Sequence, residues 1–422
     1  MKTKRVIAVG ITAVAVLVGV KCFYFFAQAG NLEPSAPPNS TMKTLDEVEP
    51  RTPIHSADFP VTISQGGSYY LAENINFATV DTNGITITAS NVTIDLSGFT
   101  MQGPGSGTAG AAIATDSSAR ENITIANGTI TGWYRGINLS GKRSEIKNIK
   151  LSSCLNAGIY VGDNSQIAGC SVNNCGQYGI RTGANSSIKD SISANNTYSV
   201  MSMEIANGIE TENACTISNC QVSDNGNYGI YAGNRCVIEN CTANSNGSAG
   251  ISALANAVVR KCTSYNNQYY NGMFWSGDGI KVYSGGVVTN CTASGNKCNG
   301  IYAPSDGVIT GCTVYDNKIN GIYAARCRIS NCTVSENDSN GIYASLGCSI
   351  YGNDLTTNSI GIYLTNAGNI VRDNNFFFNT TYGLNVIDQK NYSAQNTFYN
   401  NGTNINGAHL QGSGDMANVI IP

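Results

Sequence analysis

The sequence predicts an all-β solenoid, a right-handed parallel β-helix of about 12–13 rungs with about 21 residues in each rung. Three observations support this fold class. An aliphatic residue that follows a glycine recurs every 20–22 residues, apart from two steps of 29. The segments between these positions alternate with period two, as strands do, and contain no helical pattern. Gly, Asn, Ser and Thr are frequent between them, as expected for short strands joined by tight turns.

The first repeating column is aliphatic and is predicted to point into the core. Two apolar positions in every 21 residues do not make an amphipathic helix, so each turn of chain is predicted to pair with the next. The usual handedness of parallel connections then makes the coil right-handed. The first column is Ile137, Ile159, Ile180, Ile209, Ile230, Ile251, Ile280, Ile301, Ile322, Ile342, Ile362 and Leu384, and a second aliphatic column extends from Ile146 to Ile350.

The second kind of column is asparagine. Asparagine tolerates the left-handed backbone region that tight turns need, and stacked amides can hydrogen-bond from rung to rung. We therefore expect these residues at one turn of every coil. They are Asn196, Asn225, Asn246, Asn267, Asn296, Asn317, Asn337, Asn358 and Asn379, with Cys154 and Cys175 in the same position of the first rungs.

The third kind of column is cysteine, and fourteen cysteines follow Cys22. Two interpretations are open. The cysteines form a stacked, buried and unreactive ladder, or they form disulfides between rungs, which an extracytoplasmic compartment permits. The main column is Cys170, Cys220, Cys241, Cys262, Cys291, Cys312 and Cys332, and the position five residues earlier is always small, including Cys215, Cys236, Cys327 and Cys348.

The sequence divides into four segments. Residues 1–29 have a basic start, the uncharged run Val6–Val20 and the small-x-small site Ala27–Ala29, which predict a cleaved signal peptide or, with residues 6–26 uncleaved, a membrane anchor. Residues 30–57 are a Pro-rich linker, 58–401 the β-helix and 402–422 a C-terminal cap or tail. Either fate of the first segment places the protein outside the cytoplasm, secreted or at the cell surface.

Charge excludes one class of partner. Only 12% of residues are charged and the net charge is −3, so no clustered Lys and Arg can form a nucleic-acid groove. A membrane partner is expected only through the N-terminal segment, if it is uncleaved.

The repeats resemble those of the pectate-lyase-like right-handed β-helix superfamily. Rungs such as Asn358–Leu364 and Asp373–Asn379 are similar to those of periplasmic copper-centre maturation β-helix proteins. The segments Thr44–Ile54, Gly67–Leu71 and Asn91–Leu96 resemble a group of uncharacterised secreted bacterial β-helix repeat proteins. The resemblance implies the fold more than an activity, because the same coil serves lyases, hydrolases, epimerases and inert spikes.

Known catalytic motifs of the superfamily do not occur in the sequence. Histidine occurs only at His55 and His409, so the Gly-His-Gly of polygalacturonases and the Asp-Pro-His of mannuronan epimerases are missing. No spacing matches a zinc ribbon, and we expect no metal site and no cofactor. By analogy with the family calcium is a candidate, but no ligands can be assigned.

Two insertions indicate where a site lies. The two 29-residue steps each add eight residues between the Asn turn and the Gly-Ile strand, within 197–207 and within 268–278. The first carries Tyr198, and the second carries Tyr270 and Trp275. The insertions lie three rungs apart on one face and are predicted to wall a groove, since long loops on a rigid scaffold commonly carry function.

The floor of this groove is the column of residues that point outward after each inward isoleucine. Tyrosine prevails there except between the insertions, where Arg181, Glu210 and Lys281 interrupt it. Cations of this kind suit the carboxylates of a uronic acid polymer, and aromatic rings can stack on sugar faces. We predict an anionic polysaccharide as partner. The candidate catalytic residues are Lys281, Arg181 and Glu210, and the candidate substrate-binding residues are Tyr231, Trp275, Asp278, Tyr198 and Tyr270.

The chemistry expected at this groove is that of a lyase or epimerase, in which a Lys, Arg or Tyr removes the proton next to the carboxylate. Other interpretations stay open: Arg181 and Glu210 pair with each other, the tyrosines only stack on the strand surface, and the insertion aromatics fold back on the coil. The protein is then a binding module without catalysis, or a structural or adhesive surface fibre. The sequence leaves open whether it is an enzyme.

Overall fold

Each turn of the chain pairs in parallel with the next, and the strands make three faces of one solenoid. The computed structural model describes residues 49–197, 206–270 and 275–421. Residues 51–422 cluster as one unit. The predicted signal or anchor segment and most of the linker lie outside the described residues. Within those residues no helix has the length and apolar character needed to cross a membrane.

One face is a sixteen-stranded parallel sheet, called sheet I below. Its strands are Val61–Ile63, Ile85–Ile87, Ala111–Thr115, Arg135–Leu139, Ala157–Val161, Tyr178–Thr182, Asn207–Thr211, Ile230–Ala232, Ile251–Ala253, Ile280–Val282, Ile301–Ala303, Ile322–Ala324, Asn340–Ala344, Ile360–Leu364, Tyr382–Val386 and Thr403–Asn406.

The other two faces belong to one 31-stranded sheet, called sheet II. Its first face contains Thr52–Ile54, Gly67–Leu71, Val92–Asp95, Ile123–Thr131, Glu145–Ser152, Gln166–Ala168, Ser187–Lys189, Thr216–Ser218, Val237–Glu239, Val258–Arg260, Val287–Thr289, Val308–Thr310, Arg328–Ser330, Ser349–Tyr351, Ile370–Arg372, Tyr392–Ala394 and Leu410–Gln411. Its second face shares Ile123–Thr131 and Glu145–Ser152 and adds Ile75–Asn76, Thr100–Gln102, Ser171–Asn173, Ile192–Ala194, Gln221–Ser223, Thr242–Asn244, Thr263–Tyr265, Thr292–Ser294, Thr313–Tyr315, Thr333–Ser335, Asp354–Thr356, Asn375–Phe377, Thr397–Tyr399 and Val419–Ile421.

The described part of the chain has little other regular secondary structure. Two short 3-10 helices span Ser56–Asp58 and Gly414–Met416. Tyr269–Tyr270 and Trp275–Ser276 pair antiparallel as a separate two-stranded sheet.

The predicted inward columns form the core, which confirms the fold class. Ile137 pairs with Ile159, and Ile159 with Ile180, so each aliphatic side chain stacks on the next. These side chains are fully buried, as are those of the second column such as Ile146. Burial of one branched side chain contributes roughly 1.5–3 kcal/mol, and the repeat multiplies this contribution along the axis.

The solenoid is longer than the predicted 12–13 rungs. Val61, Ile85 and Ile113 extend the aliphatic column of sheet I towards the N-terminus. The sequence spacings between these residues exceed the 20–22 residues of the later rungs. A repeat near 21 residues therefore does not reveal these first rungs. The strands also pass both predicted boundaries, starting at Thr52 inside the predicted linker and continuing to Ile421 through the predicted cap.

The asparagine column is confirmed as a buried hydrogen-bonded ladder. Asn225 Nδ2 donates to Asn246 Oδ1 (2.9 Å), and Asn246 Nδ2 donates to Asn267 Oδ1 (3.1 Å). The expected reason for asparagine needs a correction. The left-handed residue of each turn is the one before the ladder residue, for example Asn266 with φ 55°, and not the ladder asparagine itself. Asparagine occupies the column because its amide both donates and accepts across rungs.

Apart from Cys298, the described cysteines line the corners between faces. All fourteen in the described residues are free and buried. Toward the C-terminus asparagine takes their place: the Cys332 amide donates to Asn353 Oδ1 (2.9 Å), and the Cys348 amide donates to Asn369 Oδ1 (2.8 Å). Cysteine and asparagine are therefore alternative occupants of the same corner positions.

Candidate functional site

The outward column of sheet I lies where the sequence places it. Backbone register pairs Arg181 with Glu210, Glu210 with Tyr231 and Ser252 with Lys281. Both neighbours of each such residue in the strand point into the core, because side chains alternate across a strand. The predicted groove floor is therefore a continuous line of side chains along the solenoid axis.

The tyrosines beyond Lys281 stack on each other. The ring centroids of Tyr302 and Tyr323 are 4.8 Å apart, and those of Tyr323 and Tyr343 are 4.9 Å apart with only 7° between the planes. Rings stacked in this way cover each other's faces and present edges and hydroxyl groups outward. The stacking interpretation holds for this part of the column, and these rings do not offer their faces to sugars.

Arg181 and Glu210 form the ion pair that was the alternative interpretation, with Arg181 Nε 3.4 Å from Glu210 Oε1. The other carboxylate oxygen of Glu210 accepts a hydrogen bond from Asn207 Nδ2 (2.9 Å). The Arg181 guanidinium also lies over the rings of Tyr160 and Tyr178. Both charges are thus engaged within the protein, and this pair adds no net charge to the groove.

Lys281 is different, because no carboxylate in the described part of the chain lies within ion-pair distance of its Nζ. The ammonium group lies over the rings of Tyr283 (5.4 Å) and Tyr302 (5.3 Å). Burial lowers the pKa of Lys281, but the interactions with Tyr283, Asp278 and Tyr228 raise it by more than burial lowers it. The net pKa is therefore above its ordinary value. Lys281 is therefore a protonated cation at neutral pH.

The carboxylate of Asp278 binds Asn299 and not Lys281. Its Oδ1 accepts hydrogen bonds from the Asn299 backbone amide (3.0 Å) and from Asn299 Nδ2 (2.8 Å). The amides of Asn299, Asn320 and Asn340 continue this ladder along the edge of sheet I. Burial raises the pKa of Asp278. The predicted substrate-binding carboxylate thus anchors an amide ladder beside the groove.

Ser252 is the small member of the outward column and lies between Tyr231 and Lys281. Its side chain is buried (1% exposed), and its Oγ has no hydrogen-bond partner in the described residues. An unpaired buried hydroxyl costs about 1–3 kcal/mol. Burial keeps this hydroxyl out of reach of a ligand on the face of sheet I.

Two further tyrosines complete the site. Tyr228 stacks on Tyr231, with ring centroids 5.3 Å apart and 28° between the planes. Burial raises the pKa of Tyr231, and Tyr228, Tyr283 and Glu210 add to the shift. We call Tyr228, Tyr231, Ser252, Lys281 and Tyr283 the Lys281 cluster.

Sequence reasoning found two members of this cluster, Lys281 and Tyr231, and missed the other three. The available signal was a serine that replaces tyrosine next to the lysine in the outward column. The other two, Tyr228 and Tyr283, belong to neighbouring columns. Their proximity to Lys281 arises from side-chain direction, which the repeat does not specify.

The two strands of the second insertion pair as an antiparallel hairpin. Tyr270 pairs with Trp275 in its antiparallel ladder. The hairpin joins neither sheet I nor sheet II. At its base the Cys298 backbone amide donates to the Gly277 carbonyl (3.1 Å), and the Gln268 amide donates to the Asn246 carbonyl (2.9 Å). Tyr198, the aromatic candidate in the first insertion, lies outside the described residues.

Fold and repeat together define the class of this protein, a right-handed parallel β-helix. Residues 207–360 match the family model described as "Right handed beta helix region". This match confirms the resemblance to the right-handed β-helix superfamily for the central rungs, which include the Lys281 cluster. No curated protein sequence matches the chain.

Several solved structures are similar at low identity. The A-module of the mannuronan C-5 epimerase AlgE6 of Azotobacter vinelandii is 13% identical with a TM-score of 0.43, over 85% of this chain and 91% of that one. The Dettilon tailspike protein is 16% identical with a TM-score of 0.37, over 82% and 62%. The pectate lyase Pel9A is 13% identical with a TM-score of 0.30, over 69% and 70%.

Proposed function

We propose that the face of sheet I between the two insertions binds an anionic polysaccharide, with the Lys281 cluster at its centre. The observation that carries this proposal is Lys281, a protonated cation that lies over two tyrosine rings and has no carboxylate within ion-pair distance in the described part of the chain. A sugar carboxylate supplies the missing negative charge, and the hydroxyl groups of the sugar supply hydrogen-bond partners for the tyrosines.

The floor also has a length that suits a polymer more than a small molecule. The outward column continues in register from Tyr160 through Lys281 to Tyr363. Successive rungs are about 4.8 Å apart, so polar groups recur at a regular interval along the axis. A chain of sugars laid along this line meets a side chain of the outward column at every rung.

A lyase or epimerase reaction is the second candidate, and the tyrosine hydroxyls near Lys281 favour it. In such a reaction a base removes the proton next to the carboxylate, and a charged group stabilises the extra negative charge that develops there. With its raised pKa, Lys281 stays protonated at neutral pH, which suits the second role and not that of the base. Tyr283, beside Lys281 Nζ, is then the group placed to transfer the proton.

The decisive experiment titrates the purified chain with anionic and neutral polysaccharides, with and without calcium, and follows the ultraviolet absorbance of unsaturated uronate. The Lys281→Ala variant should bind an anionic polysaccharide about tenfold more weakly, a loss of ~1.4 kcal/mol. Binding should persist through neutral pH and decline only as the pH rises through the raised pKa of Lys281. The matched control is Lys189→Ala, an exposed lysine on sheet II.

The outcomes separate the candidates. New absorbance that Lys281→Ala removes establishes a lyase. Binding without absorbance leaves a binding module or an epimerase, which solvent deuterium exchange into the polymer distinguishes. If no polysaccharide binds, or if Lys281→Ala and Lys189→Ala behave alike, the proposal is wrong and the structural or adhesive alternative stands.

Removal of the negative charge of Glu210 should have the opposite effect. Glu210→Gln keeps an oxygen for Asn207 Nδ2 but removes the partner of Arg181, so a second cation becomes available to the ligand. We expect the affinity for the anionic polysaccharide to rise severalfold at low salt, with the gain screened at high salt. Glu239→Gln, which breaks the pair with Arg260 on sheet II, is the control and should change nothing. Equal or weaker binding by Glu210→Gln would place the ligand elsewhere.

A further inference from the structure

The stacked cysteines occur in runs of even length. In the described residues a run is a set of cysteines at the same corner of consecutive rungs, as the strand register defines them. Three runs have two members and one has six. The runs are Cys154 with Cys175, Cys215 with Cys236, Cys327 with Cys348, and Cys220 through Cys241, Cys262, Cys291 and Cys312 to Cys332.

Two described cysteines are outside any run. Cys170 is followed at its corner by Ser191, whose Oγ accepts from the Cys170 amide (3.2 Å). Cys298 lies at the base of the second insertion, away from the corner columns. Every cysteine in a run therefore has a neighbour with which it can pair, and Cys170 and Cys298 lie outside the runs.

Neighbours within a run are in direct contact. The Cys215 amide donates to Cys236 Sγ (3.3 Å), and the Cys262 amide donates to Cys291 Sγ (3.5 Å). Adjacent parallel strands are about 4.8 Å apart, inside the 4.4–6.8 Å range of Cα separations that disulfides span. Neighbouring cysteines of a run are therefore within the range of Cα separations that a disulfide spans.

The asparagine columns suggest what such bonds do. Where cysteine ends, at Cys332 and Cys348, asparagine begins and connects rung to rung through its amide. A thiol makes only a weak connection of this kind. Covalent pairing makes the cysteine rungs equivalent to the asparagine rungs as cross-linked corners.

We propose that each run closes pairwise into disulfides between neighbouring rungs, so that twelve of the fourteen described cysteines form six bonds and Cys170 and Cys298 stay reduced. The oxidant is a small-molecule or protein disulfide. Two thiols lose two protons and two electrons, one sulfur–sulfur bond forms, and the oxidant's disulfide is reduced to two thiols. In the run of six, pairing starts from the ends, as Cys220–Cys241, Cys262–Cys291 and Cys312–Cys332.

The bonds form before the rungs close. The cysteines of the runs are buried in the folded solenoid, where an oxidising disulfide has no access to their thiols. The test therefore compares chains that folded in different redox conditions and does not rely on oxidation of the folded protein.

The experiment expresses the full chain in an oxidising and in a reducing compartment of one host, confirms strand-rich circular dichroism of both products, and traps free thiols with an alkylating reagent under denaturing conditions. Peptide mass mapping of the oxidised product should find the six neighbouring links, with Cys170 and Cys298 alkylated, and a higher midpoint of thermal unfolding than the reduced product. Fourteen alkylated cysteines, or links between cysteines that are not neighbours, would overturn the proposal and leave a ladder of inert thiols.

A variant tests the pairing rule itself. Serine already occupies this corner at Ser191, so Cys241→Ser should fold. It should leave Cys220 alkylated and keep the links Cys262–Cys291 and Cys312–Cys332. Cys298→Ser is the matched control and should change no link. If Cys220 instead pairs with another residue, proximity within the run does not determine the bonds.

Discussion

Replacing Asn267 with alanine is expected to destabilise the solenoid by about 3 kcal/mol or more. Asn267 is fully buried. Its Oδ1 accepts from the Asn246 amide (3.1 Å) and from Asn246 Nδ2 (3.1 Å), and its Nδ2 donates to Asn296 Oδ1 (2.9 Å) and to the Ala243 carbonyl (3.3 Å). Alanine leaves these groups without partners at the centre of the ladder.

The effect should be local as well as large. In a solenoid each rung contacts only its neighbours, so loss of one ladder amide weakens two interfaces at once. The midpoint of urea unfolding measures the loss, and amide hydrogen exchange should accelerate most in the rungs on either side of Asn267. Asn244→Ala is the control, because this asparagine lies on the outer side of sheet II and donates only to Ser245. Equal effects of the two substitutions would mean that the ladder does not hold the rungs together.

Gly229→Ala is expected to cost about 3 kcal/mol, the upper part of the usual range for overpacking. A Cβ at this position would lie 2.5 Å from the Gly250 carbonyl oxygen and 2.6 Å from Asn246 Nδ2. Neither atom can move away, because the first is backbone of the next rung and the second is fixed in the asparagine ladder. Alanine therefore forces the two rungs apart at the start of the sheet I strand Ile230–Ala232.

This prediction explains the glycine that precedes each inward isoleucine. Gly208, Gly300 and Gly341 face the same two obstacles, the next rung's carbonyl and a ladder amide. The control is Gly307→Ala, where the nearest atom to a Cβ is the Gly286 carbonyl oxygen at 3.0 Å and where Ala257 already occupies the same corner. We expect a cost below about 1 kcal/mol for the control. Thermal unfolding midpoints of the two variants make the comparison, and a Gly229→Ala protein as stable as Gly307→Ala would contradict the steric account.

The amino-acid sequence determined the solenoid, its core and the order of its outward column. Period two along each strand fixes which side chains point inward, and a slip of one residue would turn every one of them to the wrong side. The 21-residue period then fixes which residues stack, so Arg181, Glu210, Tyr231 and Lys281 fall into line as predicted. The rungs of the first 130 residues were beyond this reasoning because their spacing is irregular.

Only the tertiary structure decided what each outward side chain contacts. Register places Asp278 near Lys281, yet its carboxylate binds Asn299 on the next rung. Arg181 pairs with Glu210, whereas Lys281 lies over the rings of two tyrosines, although all three are charged members of one column. Contacts between columns depend on rotamers and on the shape of the corners, which a linear period does not encode. For that reason the repeat predicted a line of candidate residues, while folding added Tyr228 and Tyr283 from neighbouring columns to form the Lys281 cluster.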